Sequence, residues 1–390
     1  MAAQTVLTNP APSIDDLRSL CSDHSLEAIV TRVEDGRPDW SIEDGLLRNA
    51  RTNFFSIGLY EQVNADPIIL MEQTETALVM LLVAPVDGRD AVLLNLRTEP
   101  GLIGRTNLTG TIQSTPSNYL RKHGGKGTPF VEIAADPTAY GTVVHDSMHH
   151  DWGEYYLRKT KRFLIVRLST PIVAPDAFRW IPVETAAALL LEDNLVTGDL
   201  RVLLPFLRPG SARVRVPSDG TANSHDGSLL RRLEFLPGLP DCRGLTVAFF
   251  RTETGTREVR SWVQPLLVPR DPMKIRLTFC RTPSGPKYAV ELRTQPGLLG
   301  EQLWFPTEIR GGRVVRRVQT SAEGGRFWRH KVEIELREVE GNDASRAERA
   351  SEARWMSGDD IDALVRQSLQ TSLELRMAWS LVYAGSTRTA

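Results

Sequence analysis

Residues 96–104 read LRTEPGLIG and residues 292–300 read LRTQPGLLG, seven identities in nine positions at an offset of 196. A chain that writes one strand and turn twice is expected to fold as two related halves. The upstream runs AVLLNLRTEPG and YAVELRTQPG each carry an apolar, alternating pattern into a Pro-Gly turn, as expected for a strand that ends sharply. Downstream, GEYYLRK (Gly153 to Lys159) matches GRFWRHK (Gly325 to Lys331), and FRWIPVETAAAL matches ARWMSGDDIDAL, at offsets of 172 and 175. The fall from 196 to 172 means that the second copy has lost about 24 residues after its turn. In the first copy that place holds TIQSTPSNYLRKHGGKGTPF (Thr111 to Phe130), the most chemically loaded stretch of the chain.

At 390 residues the chain has room for two cores. A net charge of −1 argues against a nucleic-acid partner, which would need a basic field. Cys21, Cys242 and Cys280 are too few and too scattered for a disulfide framework or a zinc cluster, and fit reduced, buried thiols. The N-terminal stretch lacks a basic-then-apolar leader and no apolar run is long enough to span a bilayer. The expectation is a cytoplasmic protein without a membrane partner.

Short helices are expected at 15–20 and 26–33, strands at 53–59, 77–83 and 162–168, and a helix at 183–191. The second copy repeats strands, beginning at 245–251, and closes in one long helix capped by Ser357 and Asp360. Several strands followed by a helix in each copy give an α+β class. The expected division is an extension at 1–50, a first repeat at 51–207, a Pro/Gly/Ser-rich linker at 208–227 and a second repeat at 228–390.

FFSIG, PIILMEQTET, LRTEPG, TIQSTPSNYLRKHGGKGTPF, EYYLRKTKRF and REVRSWVQPLL together resemble the NDP-hexose 2,3-dehydratases of deoxysugar pathways. The resemblance implies two tandem Nudix-like mixed-sheet domains, the second truncated here. It assigns substrate contacts to Gln113, Asn118 and Tyr119 and, in the second copy, to Trp262 and Gln264. Two departures stand out: NADPII lacks the tryptophan expected before Pro67, and WFPTEIRGG replaces a second TVQ-like segment. Neither copy carries a glutamate-rich Nudix box, so no metal and no pyrophosphohydrolase activity are expected.

Elimination of water from a 4-keto sugar needs a base for the C3 proton, an acid for the C2 hydroxyl and a donor at the ketone oxygen, and no redox cofactor. In MHHDWGEYYLRK an uninterrupted strand would put His149, Asp151, Gly153 and Tyr155 on one face and His150, Trp152, Glu154 and Tyr156 on the other. His149, Asp151, Glu154 and Tyr155 are therefore catalytic candidates, although an edge strand with exposed polar residues would look the same. Glu99, exchanged for Gln295 in the second copy, is a further candidate, or simply a turn residue. Lys122, His123 and Lys126 in a Gly-rich loop, with Arg158, could hold a diphosphate. The many tryptophans of the second copy are best explained by core and interface packing, with stacking on an aromatic substrate as the alternative.

The leading expectation is a cofactor-free lyase of secondary metabolism acting on a nucleotide-linked 4-keto-6-deoxyhexose, in a homodimer. The alternative is a diverged scaffold that condenses an aromatic amine with an aldehyde, as in a Pictet–Spengler cyclisation. A third possibility is a binding protein without catalysis.

Overall fold

A computed structural model of the chain describes residues 12–25, 28–34, 39–50, 54–62, 65–121, 127–208, 230–233, 241–254, 260–340 and 353–386. In chain order the first half holds α1 (Ile14–Ser25), β1 (Ala28–Val33), β2 (Trp40–Glu43), β3 (Leu46–Asn49), β4 (Ser56–Gln62), β5 (Ala65–Glu72), β6 (Ala77–Val86), β7 (Arg89–Thr98), β8 (Thr106–Thr109) and β9 (Ile112–Ser114). It continues through α2 (Pro116–Tyr119), α3 (Val131–Ala135), α4 (Pro137–Tyr140), β10 (Gly141–His150), β11 (Tyr156–Leu157), β12 (Thr160–Leu168), β13 (Phe178–Pro182), α5 (Val183–Leu189) and α6 (Gly198–Leu203). The second half holds β14 (Leu230–Leu233), β15 (Asp241–Cys242), β16 (Leu245–Thr254), β17 (Ser261–Pro269), β18 (Met273–Thr282), β19 (Gly285–Arg293) and β20 (Leu303–Pro306). It ends with β21 (Arg313–Ser321), β22 (Lys331–Val339), β23 (Arg354–Ser357), α7 (Gly358–Arg366) and α8 (Leu373–Ser386). Mixed sheets with few helices make this an α+β fold.

The two large sheets share one plan. In the first half the order is β10-β12-β6-β7-β13, and in the second it is β21-β22-β18-β19-β23. In each, the second and third strands of that order run parallel and every other neighbour pair runs antiparallel. The edge strands β10 and β21 even slip register at matching places, between Val143 and His145 and between Val314 and Arg316. The central strand β6, ALVMLLVAPV, is buried on both faces for most of its length, which explains its unbroken apolar run.

The smaller sheets are built by exchange. Strand β1 pairs with β16 of the second half, while β14 of the second half pairs with β4 of the first. The repeated Pro-Gly turns are exchanged as well. Gly101 donates its N–H to Gly324 (2.8 Å) and accepts from Arg329 (2.7 Å); Gly297 donates to Gly153 (2.7 Å) and accepts from Arg158 (2.9 Å). Each turn thus docks on the other half's loop, and one core cluster includes residues of both halves. These bonds relate 153 to 324 and 158 to 329, one residue away from the offset read by matching letters.

Three sequence expectations change. Residues 28–33 form a strand rather than a helix, because β-branched Ile29, Val30, Thr31 and Val33 suit the pairing offered by β16. The closing helix is two helices: Ser357 and Asp360 make the expected capping box on α7, but Ser372 caps a second start by accepting from Leu375 N–H. Between them the chain turns at Leu369, at φ +59°, and donates to Met148 of the first half. Strand β10 ends at His150 instead of running on to Tyr156, so the expected alternation of faces stops there. The linker lies outside the described residues except for Arg208.

The outer sheet faces of the two halves differ. In the first half Ile112, Tyr119, Phe130, Val131 and Ile133 cover an apolar sheet face made by alternate residues of β6, β7 and β12. In the second half, where no such cover lies among the described residues, one sheet face carries ion pairs: Arg276, Arg317 and Arg337 surround Glu335, and Arg276 and Arg337 also reach Glu308. The polarity of that face fits the absence of a cover among the described residues, since an uncovered apolar face would meet water.

Candidate active site

A cleft of about 340 Å³, counted out to its open mouth, lies where the two halves meet. Its polar wall is Glu99, Gln113, Lys161, Asp199, Ser321 and Glu323, and Leu102, Trp152, Leu373 and Met377 supply apolar wall.

At its base is a buried cluster of two lysines and three carboxylates. Lys159 Nζ lies 3.0 Å from Asp151 and 2.9 Å from Glu323. Lys161 Nζ lies 3.1 Å from Asp151, 2.9 Å from Asp199 and 3.6 Å from Glu323. The Tyr156 hydroxyl donates to Glu323 at 3.1 Å, and the Lys159 ammonium sits 4.0 Å above the Tyr156 ring. Lys161 reaches the cluster because it shares a face of β12 with Phe163 and Ile165, which pack in the core between the halves. Asp199 stands in the first turn of α6, whose N-cap is Thr197. Glu323 comes from the second half, on the loop held by the Gly101–Gly324 bond.

Burial raises all three carboxyls, and the cations decide the outcome. For Asp151, Lys159 and Lys161 outweigh burial and hold it low. For Glu323, Lys159, Lys161 and Arg326 do the same and hold it well below the carboxylate range. Asp199 has Lys161 alone among those cations and feels both other carboxylates, so burial prevails and its carboxyl titrates above the ordinary value. Lys161 is correspondingly held charged: burial opposes, but three carboxylates outweigh it.

The named candidates distribute unevenly over this geometry. Glu99 and Gln113 line the cleft, Glu99 accepting from Arg97 Nε at 2.7 Å. Asp151 lies beneath the cleft in the ion cluster, with its Oδ1 accepting from Trp152 N–H at 2.9 Å. His149 is fully buried beside Phe163 and does not line the cleft; its Nε2 meets Ser147 Oγ at 2.8 Å. Burial, then Arg376 and the neighbouring histidines, push its pKa well down, so it is neutral. Tyr155 packs edge-on against Phe327 at 5.0 Å, and Glu154 is exposed on the turn. Asn118 and Tyr119 belong to α2, and Tyr119 packs with Leu164 and Val166, on the opposite sheet face from Lys161. Beside them Ser117 donates through both N–H and hydroxyl to Glu75. Arg158 points outward, 3.9 Å from Glu301. Trp262 donates its indole N–H to Gln264, whose amide donates to Gly325 O at 3.0 Å, which braces the loop carrying Glu323. Lys122, His123 and Lys126 lie outside the described residues.

Sequence reasoning passed over Lys161, Asp199 and Glu323 as site residues. A signal existed for one of them: Lys161 interrupts the apolar face of an alternating strand, where a charge needs a buried partner. Asp199 reads as a helix-start acid and Glu323 as a loop residue, so neither stands out. Among the described residues no group of three or more His, Cys, Asp or Glu is placed to hold a metal ion, and no helix is long and apolar enough to cross a membrane.

Residues 20–207 match the family model described as NDP-hexose 2,3-dehydratase. The chain is similar to the dTDP-4-dehydro-6-deoxy-alpha-D-glucopyranose 2,3-dehydratase of Streptomyces violaceoruber, 30% identical over 58% of this chain and 59% of that protein. It is similar to the enzyme of the same name from Saccharopolyspora spinosa, 26% identical over 85% of this chain and 82% of the relative. An Amycolatopsis orientalis enzyme of that name is 30% identical over 36% of this chain and 30% of its own length. The chain therefore spans a little over half of the first of these relatives. The resemblance read from the motifs is borne out, and none of the three relatives carries the name of an amine–aldehyde condensing enzyme.

Proposed function

We propose, from the relation of this chain to the NDP-hexose 2,3-dehydratases, that its cleft eliminates water from a nucleotide-linked 4-keto-6-deoxyhexose. The observation that carries the reading is Asp199, a carboxyl with a raised pKa that opens on a cleft between ion-paired neighbours. Ionised Asp199 takes the C3 proton, which is acidic because the C4 ketone is next to it. The bonding pair moves into an enolate and then into a C2=C3 double bond as the C2–O bond breaks. Asp199 returns its proton to the departing hydroxide, so water leaves and the carboxylate is regenerated. The resulting C3 enol tautomerises to the 3,4-diketone. The raised pKa makes Asp199 a stronger base than an ordinary carboxylate and still a usable acid. Lys161 keeps positive charge beside the reacting group, held charged by Asp151, Asp199 and Glu323, while Asp151 and Glu323 hold Lys159 in place.

The repeated sheet plan, the exchanged strands and the exchanged Pro-Gly turns support descent of both halves from one duplicated, Nudix-like unit. In positions that make the same bonds, Lys159 corresponds to His330 and Asp151 to Ala322, and strand register relates Lys161 to Val332. The second half thus lacks both lysines, which supports a single working cluster. A homodimer in the cytoplasm belongs to the same reading.

The test is incubation of the protein with the dTDP-4-keto-6-deoxyglucose of its relatives in heavy water, followed by mass spectrometry. Loss of one water and deuterium entry next to the ketone are expected. Folded protein that yields neither would overturn the reading, and product from a tryptophan ester with an aldehyde would replace it with the condensation.

A further inference from the structure

A row of hydroxyls running from Thr197, at the cleft wall, to Gln113 belongs to no step above. Leu200 N–H donates to Thr197 Oγ1 at 3.3 Å, the Thr197 hydroxyl donates to Thr109 Oγ1 at 3.1 Å, and the Thr109 hydroxyl donates to Gln113 Oε1 at 2.6 Å. Thr109 is fully buried and Thr197 nearly so. The row begins at a backbone N–H, which can only donate, and each hydroxyl has one hydrogen to pass on. The bonds run in one direction, from Leu200 N–H to Thr197, from Thr197 to Thr109 and from Thr109 to Gln113 Oε1. The carboxamide of Gln113 therefore has its oxygen committed to the protein. Its nitrogen, with two N–H donors, has no hydrogen-bond partner among the described residues and belongs to a side chain that lines the cleft with Lys161 and Asp199.

We infer that Gln113 is the donor that binds the ketone oxygen and stabilises the enolate, and that Thr109 and Thr197 are positioning residues that hold its amide donor-side out. A ketone oxygen and an enolate oxygen only accept hydrogen bonds, so a group presented as donor alone discriminates for them. A donor fixed before reaction loses nothing to reorientation as charge develops. The neutral amide also suits a wall that already holds Glu99, Asp199 and Glu323 beside Lys161, because it adds no charge to perturb the Asp199 proton. This role rests on the proposed dehydration.

The experiment compares wild type with T109V, T109S and Q113E, measuring kcat and KM for water loss and the melting temperature of each. Valine keeps the shape of threonine but cannot donate to Oε1, which frees the amide to flip, and a kcat loss of about tenfold with little change in KM is expected. T109S restores the hydroxyl and should recover that loss. Q113E keeps the shape but replaces both donors by an acceptor, and kcat should fall roughly 100-fold or more. Equal kcat for T109V and wild type, or equal damage in T109V and T109S, would overturn the positioning role while leaving dehydration intact. Should T109V fail to fold, wild-type kcat in Q113E overturns the inference by itself. A wild-type protein that eliminates no water removes the proposed function and this role together.

Discussion

Asp199 differs from the two carboxylates beside it in what faces it. Asp151 and Glu323 each meet both lysines, whereas Asp199 meets Lys161 alone and carries the surplus negative charge of the cluster. D199N should therefore lower kcat by roughly 10²–10⁴, the range general acid–base catalysis contributes. Its melting temperature should hold or rise, because an amide removes a buried charge that only one lysine balances. Steady-state kinetics with a thermal melt checks both, and near-normal turnover in D199N would move the proton chemistry to another residue. The inward place of Lys161 was legible in the alternation of β12. Its partners were not, because Asp199 and Glu323 lie 38 and 162 residues further along the chain and meet it only through packing.

The repeated Pro-Gly turn is an element that serves the opposite half. A Cβ on Gly101 would sit 1.6 Å from Phe327 O, and one on Gly297 would sit 1.8 Å from Tyr156 O. Backbone cannot yield that far, so G101A and G297A should each cost about 3 kcal/mol or more in urea unfolding. G88A, at φ +77° in the β6–β7 hairpin with nothing within 4 Å of its Cβ, should cost only about 1–2 kcal/mol. Equal losses at all three sites would refute the docking role of the turns. G101A and G297A are both expected to reduce turnover in protein that remains folded, since Gly101 holds the loop that carries Glu323 and Gly297 holds the loop between Asp151 and Lys159. The nine-residue repeat announced this element in the sequence, while its docking partner became visible only in the fold, as Gly324 and Arg329 lie more than 220 residues away.

At the scale of the molecule, β1 and β14 exchange and the cluster draws Glu323 from the second half. Residues 1–208 and 209–390 expressed apart should fail to form stable halves, each lacking a strand of its smaller sheet, and co-expression should restore a complex that melts cooperatively. Independent, cooperative melting of either half would contradict this. Acid should also weaken the whole molecule early. Burial lowers His145 and His330 to about 4, and lowers His149 and His150 as well, so these rings are neutral when folded and take up protons on unfolding. The unfolded chain then binds more protons below the ordinary histidine value of about 6.5, and stability falls as pH drops from there toward about 4. The depressed Asp151 and Glu323 add a second loss below the ordinary carboxylate values, while the raised Asp199 acts in the opposite sense over its own window. Melting temperature recorded from pH 8 to pH 4 should decline steadily below about 6.5; a flat profile would show that the buried rings do not set acid stability.

The sequence by itself determined the local pieces: a strand and turn written twice, alternating apolar strands, a capped helix at Ser357, and motifs that name a family. Those depend on residues close together in the chain, where periodicity and turn chemistry speak directly. The tertiary structure alone decided that β1 is a strand in the other half's sheet, that the closing helix breaks at Leu369, and that Asn118 and Tyr119 lie across the sheet from the ion cluster. It alone brought Lys159, Lys161, Asp199 and Glu323 together. The protonation of Asp199 depends on which charges stand within a few ångströms after folding, and that proximity is a property of packing rather than of any stretch of sequence.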